Sequence, residues 1–364
     1  MSTIAAETPH TPDEARRKVA RALALGKRRS IRVSLVLAVV TFATFAVGVS
    51  VGDFPIPLRN VVPAIFGFGD EAMAIVAHEL RLPRAIAGVL VGAAFGLSGA
   101  IFQAVIRNPL ASPDILGITY GGSAGAVFVI TVGADGFVPN RVLEASFWLM
   151  FGAAFLGACV MALLIYGLAY RQGVSPYRFV LVGIGLAFVA AALIQFMLTR
   201  TDIYSAAIAT LWLTGSLNAV GWESVYPTLI ALGVLGVATL LLSGRLRILQ
   251  LGDDAAYGLG VSVERARFML VLVAVGLIGI GTAVAGPIAF VAFMAPPIAR
   301  RLTRAPVTLV PAALVGALMV LLADLIGRRI FDATEIPVGV VTGMVGAPYL
   351  LWLLTQSNRV GRGG

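Results

Sequence analysis

Side chains able to do chemistry are few in this chain, and they do not gather into a catalytic set. The two histidines, His10 and His78, lie far apart, one in a polar tail and one near an apolar boundary. They offer no metal-ligand spacing. Cys159 is the only cysteine. It sits in an apolar run, where a lone thiol packs and cannot close a disulfide within the chain. Asp253-Asp254 is an isolated acidic pair that suits the positive end of a helix better than a magnesium ion. No phosphate-binding loop of the G-x-x-x-x-G-K-S/T type occurs, and no dinucleotide-binding glycine fingerprint. These residues therefore assign no catalytic group, cofactor site or metal site, and they point away from an enzyme.

The elements that must carry these residues are membrane spans. Of 364 residues, 59% are hydrophobic and only 12% charged, against about 25% charged in soluble domains. Apolar runs of bilayer length recur, at about 33–52, 84–106, 114–133, 147–170, 177–199, 225–243, 267–285, 287–300, 306–326 and 337–355. Continuous runs without alternation exclude a β-barrel, so the class is an all-α polytopic membrane protein. The eighth run opens at Gly286-Pro287 and is expected to be interrupted at Pro296-Pro297. Such a break requires protein or a cavity around it. Segments 60–78 and 203–217 read as interfacial helices on the outer side.

The net charge of +9 fits the cytoplasmic excess of Lys and Arg in membrane proteins better than nucleic-acid binding. Ten spans return both basic ends to one side, the cytoplasm. Division is then into a basic tail at 1–32, a membrane-spanning body at 33–356 and a short tail at 357–364. Residues 15–29 are open to two readings, a basic helix on anionic headgroups or disorder.

Arg81, Arg84, Arg328 and Arg329 fall on the outer side, against that bias. Snorkelling or pairing with Glu79, Asp332 or Glu335 is one account. A docking surface for an acidic partner is the other. Asp324 is the main ionisable residue within a span. So few intramembrane acids argue against a proton-driven carrier, leaving a pathway that takes its energy from elsewhere. A secondary carrier or channel stands as the rival class.

The stretch Arg81–Tyr120 reads RLPRAIAGVLVGAAFGLSGAIFQAVIRNPLASPDILGITY. Gly88, Gly92 and Gly96, then Gly117, Gly121 and Gly125, put smooth faces on two successive helices, as close packing in lipid requires. Ser112 before Pro113 is a candidate N-cap. On the inner side, Arg245–Arg267 is too polar to span. It predicts two short helices at about 246–266, with Ser262 as a cap and an apolar stripe of Leu249, Leu251, Ala255, Ala256 and Leu259. Either a knob for a soluble partner or a plain surface loop fits that pattern.

These blocks, with AGPIAFVAFMAPPIAR at 285–300 and EIPVGVVTGMVGAPYLLWLL at 335–354, resemble the FecCD/BtuC-type permease family. That resemblance implies a fold of ten transmembrane helices and a paired second permease subunit. It implies ABC ATPase subunits below, which bind the ATP, and an extracytoplasmic substrate-binding protein above. The implied cargo is a ferric siderophore, with vitamin B12 or haem as alternatives. It implies docking of the binding protein at Arg81, Arg84 and Arg328. ATPase coupling would fall to Gly252, Asp253, Leu259 and Gly260, and a cytoplasmic gate to Asn108, Leu110, Pro176 and Tyr177. Departures from the family pattern are Pro176-Tyr177 where small hydroxyl residues are usual, Pro297 where histidine is frequent, and Ser112 in place of an acid.

Overall fold

The computed structural model describes residues 12–52, 57, 63, 71–134, 146–170, 176–218, 220–330 and 335–360. The expected outer segment 60–78 and the chain's extreme ends lie largely outside these residues. In chain order the helices are α1 (Pro12–Ser50), α2 (Glu71–Ile75), a π-helical turn (Val76–Arg81), α3 (Leu82–Ile106), α4 (Ile118–Ala134), α5 (Ser146–Ala169) and α6 (Pro176–Arg200). There follow α7 (Ile203–Leu213), α8 (Trp222–Leu249), α9 (Asp253–Gly258), α10 (Val263–Ala285), α11 (Val291–Thr303), α12 (Leu309–Gly327) and α13 (Val338–Val360).

Each of the ten expected spans falls on a helix. Among the described residues, seven helices are long and apolar enough to cross a bilayer by themselves, while α4 and α13 carry shorter apolar stretches. The first helix begins at Pro12, so the basic segment 15–29 is continuous with the first span.

α3 and α10 form the centre. About 78% and 83% of their most apolar windows are buried, against 17% for α8 and 22% for α6. α3 lies against α12, α10, α11 and α8, while α4 packs on α5 and α6. Leu181, Phe188, Val189 and Phe196 leave an apolar outer face on α6.

The glycine faces explain the closest approaches, though the two faces do not meet each other. Gly92 lies against the Gly316 carbonyl and Gly96 against that of Ala312, both on α12; a Cβ at either would collide. Gly121 and Gly125 meet Gly157 and Ala153 on α5 in the same way.

α3 starts with Pro83 in its first turn and stops at Arg107, whose left-handed backbone (φ 55°) donates its N–H to the Gln103 carbonyl. Asn108 also donates its N–H to that carbonyl, and its Oδ1 accepts from the Leu110 N–H at 2.9 Å. This is an Asx turn that stiffens the link. α4 begins at Ile118, four residues later than expected for that span. Ser112 and Pro113 instead head a tight turn in which the Ser112 carbonyl accepts from the Leu116 N–H.

The broken helix differs from expectation in where it breaks. Residues 286–290 are the irregular part, with positive φ at Gly286 (71°) and Phe290 (65°). α11 then runs through Pro296 and Pro297 without interruption. Those prolines remove the donors for the carbonyls of Ala292 and Phe293. Gln103 of α3 supplies one replacement, its Nε2 donating to the Phe293 carbonyl at 2.9 Å. Gly99 packs directly on the Ala292 carbonyl. The Gln103 Oε1 accepts from Arg300 Nη2 at 2.7 Å, so this buried amide is satisfied at both ends. The irregular link is held by α7–α8 backbone: Ser216 donates to the Ala285 carbonyl at 2.8 Å.

Candidate functional site

Two charged clusters occupy opposite ends of α3. At the N-terminal end of α3, the end expected to face outward, Arg81 is buried and its Nη1 donates to the carbonyls of Val49 and Ser50 at 3.0 and 3.1 Å. These belong to the last turn of α1, whose orphan carbonyls and negative dipole end favour a cation. Arg84 donates to Asp324 Oδ1 from Nε (2.9 Å) and Nη2 (2.8 Å), and from Nη1 to Glu335 Oε2 at 3.0 Å. Arg328 meets the other oxygen of Asp324 at 2.6 Å and donates to the Gly48 carbonyl at 3.3 Å. Arg329 donates to the Gly52 carbonyl at 3.3 Å.

The Asp324 carboxylate is only 1% exposed, whereas Glu335 is 41% exposed. Burial pulls the Arg328 guanidinium below its ordinary pKa, and the Asp324 charge opposes that shift. The arginines expected on the outer docking surface are therefore all engaged within the chain. They lock α1, α3 and α12 together, and four arginines outnumber the two carboxylates they meet.

At the C-terminal end of α3, the end expected to face the cytoplasm, Arg107 Nη2 meets Asp253 Oδ1 at 2.5 Å, and Arg267 Nη2 lies 3.1 Å from Asp253 Oδ2. Asp253 opens α9, where its charge also suits the helix N-terminus. Only one short helix forms in the 246–266 stretch. Leu249 completes α8, and Val263 already belongs to α10, with Ser262 at its N-cap position but making no side-chain cap bond. Of the apolar stripe, Leu249 and Ala256 are buried, while Leu251 and Leu259 are 66% and 60% exposed beside an exposed Tyr257. Gly252 (φ 110°) and Gly260 (φ 77°) bracket α9 at conformations that favour glycine.

Asn108 and Leu110 follow Arg107 directly, so two expected gate residues stand next to the Asp253 bridge. Pro176 opens α6, and Tyr177 beside it is 78% exposed. Between α4, α6 and the 286–290 link lies a cavity of about 670 Å³, mostly apolar, with Ser112, Asp114, Ser123 and Gln195 as polar lining. Among the described residues, no three His, Cys, Asp or Glu side chains gather as metal ligands. Sequence reasoning missed Arg107, Arg267, Gln103 and Arg300 as functional partners. The available signal was their position as polar side chains at or inside the ends of apolar helices.

This fold is that of a polytopic helical membrane protein. The FecCD transport family matches residues 37–356, and the chain belongs to that family. It is similar to the ferric enterobactin transport system permease protein FepG of Escherichia coli (strain K12), at 39% identity over 86% of this chain and 92% of that protein. It is equally similar, at 39%, to the probable siderophore transport system permease protein YfhA of Bacillus subtilis (strain 168), over 90% of this chain and 95% of the relative. Among solved structures, a metal-chelate type ABC transporter in an inward-facing conformation superposes with a TM-score of 0.78. It shares 26% identity and covers 89% of this chain and 99% of its own.

Proposed function

We propose that the chain is the permease subunit of an ATP-binding-cassette importer that carries a ferric siderophore across the cytoplasmic membrane by alternating access. One observation carries this reading: similarity extends over 92% and 95% of two relatives whose names place them in siderophore transport. ABC ATPase subunits bind the ATP and meet the inner face, where Leu251, Tyr257 and Leu259 form an exposed apolar cap on α9. Gly252 and Gly260 shape that cap. A second permease subunit, identical or related, completes the passage, whose wall includes the apolar cavity beside α6. Asn108 and Leu110, with Pro176 and Tyr177 opposite, form the inner gate.

The extracytoplasmic binding protein docks at the outer arginine cluster. Because Arg81, Arg84 and Arg328 are held internally, its acidic groups meet the rim of the cluster. There they compete with the half-exposed Glu335 for Arg84, while Asp324 stays in place. Specificity rests with that binding protein, since an apolar passage makes few directed contacts. Both termini are cytoplasmic. In support, Arg29 of α1 donates to the Leu302 carbonyl at 3.0 Å and Arg301 lies 4.2 Å over the Trp352 ring of α13, so parts of the first and last helices meet the last turn of α11 on one side.

The test is uptake of radiolabelled iron, given as a panel of ferric siderophores, by iron-starved cells lacking the gene and then complemented. Loss for one chelate, restored on complementation, is the expected result. Unchanged uptake across the panel, with redundant importers also removed, would overturn the cargo and leave haem or vitamin B12 to be tried.

A further inference from the structure

The bridge at the inner end of α3 joins parts of the chain that are 146 residues apart. We infer that Asp253 is a positioning residue that ties α9 to the turn 107–110, so that movement of α9 reaches the inner gate through Arg107. This deepens the proposed function, and it rests on α9 being the contact for the ATPase.

The geometry has three parts. The first is the joint. One carboxylate accepts from two guanidinium groups on different helices, Arg107 at the end of α3 and Arg267 one turn into α10. Arg267 is 9% exposed on its side chain and rises from the most buried span, so it is the fixed anchor. The second is the approach. Gly252 precedes Asp253 with φ 110°, and a Cβ there would lie 3.9 Å from Arg107 Nη1. The backbone entering α9 therefore runs close to the Arg107 head group.

The third part is the receiving turn. Arg107 is held in a left-handed conformation by its bond to Gln103, and the Asn108 Asx turn follows without a flexible residue between. Displacement of Arg107 thus shifts a stiff unit that includes Asn108 and Leu110. Without the bridge, the covalent route from α9 to this turn would run through entire membrane spans.

Exposure decides what the bridge can be. Arg107 and Asp253 are 36% and 40% exposed on their side chains. Ion pairs this open contribute little to stability. The pair therefore suits a joint that transmits motion and yields, in contrast to one that holds the fold.

The experiment uses the whole transporter in membrane vesicles. Cys159→Ala removes the native thiol and Leu110→Cys reports the gate turn through its rate of maleimide labelling, with and without ATP plus vanadate. In this background nucleotide is expected to change the rate about fivefold or more, the low end of a coupling of 1–3 kcal/mol. Arg107→Ala, Asp253→Ala and the double variant should each reduce that change to near unity, with ATPase still co-purifying. Arg107→Gln serves if the alanine variant does not reach the membrane. A nucleotide response retained in either single variant, or lost in two additive steps, would overturn the relay. Leu259→Asp tests the underlying reading separately: continued ATPase co-purification would remove α9 as the contact face, whatever the labelling shows.

Discussion

The two ends of α3 carry the same chemistry under opposite conditions. At the outer end, one carboxylate holds Arg84 and Arg328, and that carboxylate is almost completely buried. At the inner end, one carboxylate holds Arg107 and Arg267, and it is 40% exposed. A buried charge with its partners removed is a severe penalty, whereas an exposed pair is worth little. The outer triad therefore fixes the fold, and any docking partner must work at its rim. Of the inner triad, the Arg107–Asp253 arm is exposed on both sides and suits a joint, while Arg267 is its buried anchor. Equal residue types and nearly equal distances give unequal roles because the dielectric around them differs.

The sharpest way to break this contrast is Asp324→Ala. It removes the buried carboxylate shared by two buried guanidinium groups, leaving Arg84 with Glu335 and Arg328 with backbone carbonyls, and a loss of about 3–5 kcal/mol is expected. Thermal unfolding of the detergent-solubilised permease would measure it, and a near-wild-type midpoint would mean that water reaches the cluster. The shaft between the two ends is addressed by Gly92→Val. Its side chain meets the Gly316 backbone, which cannot yield as a side chain can, so a destabilisation of about 1–3 kcal/mol or more is expected. By comparison, Gly167→Ala in α5, where nothing lies within 4 Å, should stabilise by up to about 1 kcal/mol.

A buried but uncharged contact sharpens the comparison further. Gln103→Leu orphans the Phe293 carbonyl and one donor of Arg300, for a loss of about 1–3 kcal/mol. If the loss matched that of Asp324→Ala, charge would not be what distinguishes the outer cluster. A smaller loss than for Asp324→Ala, about 1–3 kcal/mol, is expected from Asp253→Ala, because one of its two partners, Arg267, is buried and the other, Arg107, is exposed. A large drop there would place the inner triad in the same class as the outer one.

Much of this arrangement was legible in the sequence. Apolar run lengths located ten of the helices, and glycines spaced by four announced close helix packing. Which helices would meet was not legible. The faces of Gly92 and Gly121 point to α12 and α5, and nothing in a spacing of four names a partner. Asp324 stood out as the main intramembrane acid, but its partner Arg84 lies 240 residues away. The prolines of α11 misled for a related reason. Local rules place a break at Pro296-Pro297, but Gln103, 190 residues distant, replaces one missing hydrogen bond. The break then moves to 286–290, where glycine permits it. The short α9 was half legible: the stripe was visible, and its division into buried and exposed members was set by how Ala256 packs.

The burial of α10 has a further consequence for inheritance. Its sequence is as hydrophobic as a lipid-facing span, yet nearly every turn touches protein, including a close approach of Gly281 to the Phe95 ring. Lipid accepts any apolar side chain of any shape, but a neighbouring helix does not. Exchange among leucine, isoleucine and valine should therefore be freely tolerated along α8 and poorly along α10. A saturation library scored for transport would separate two helices that a hydropathy plot draws alike.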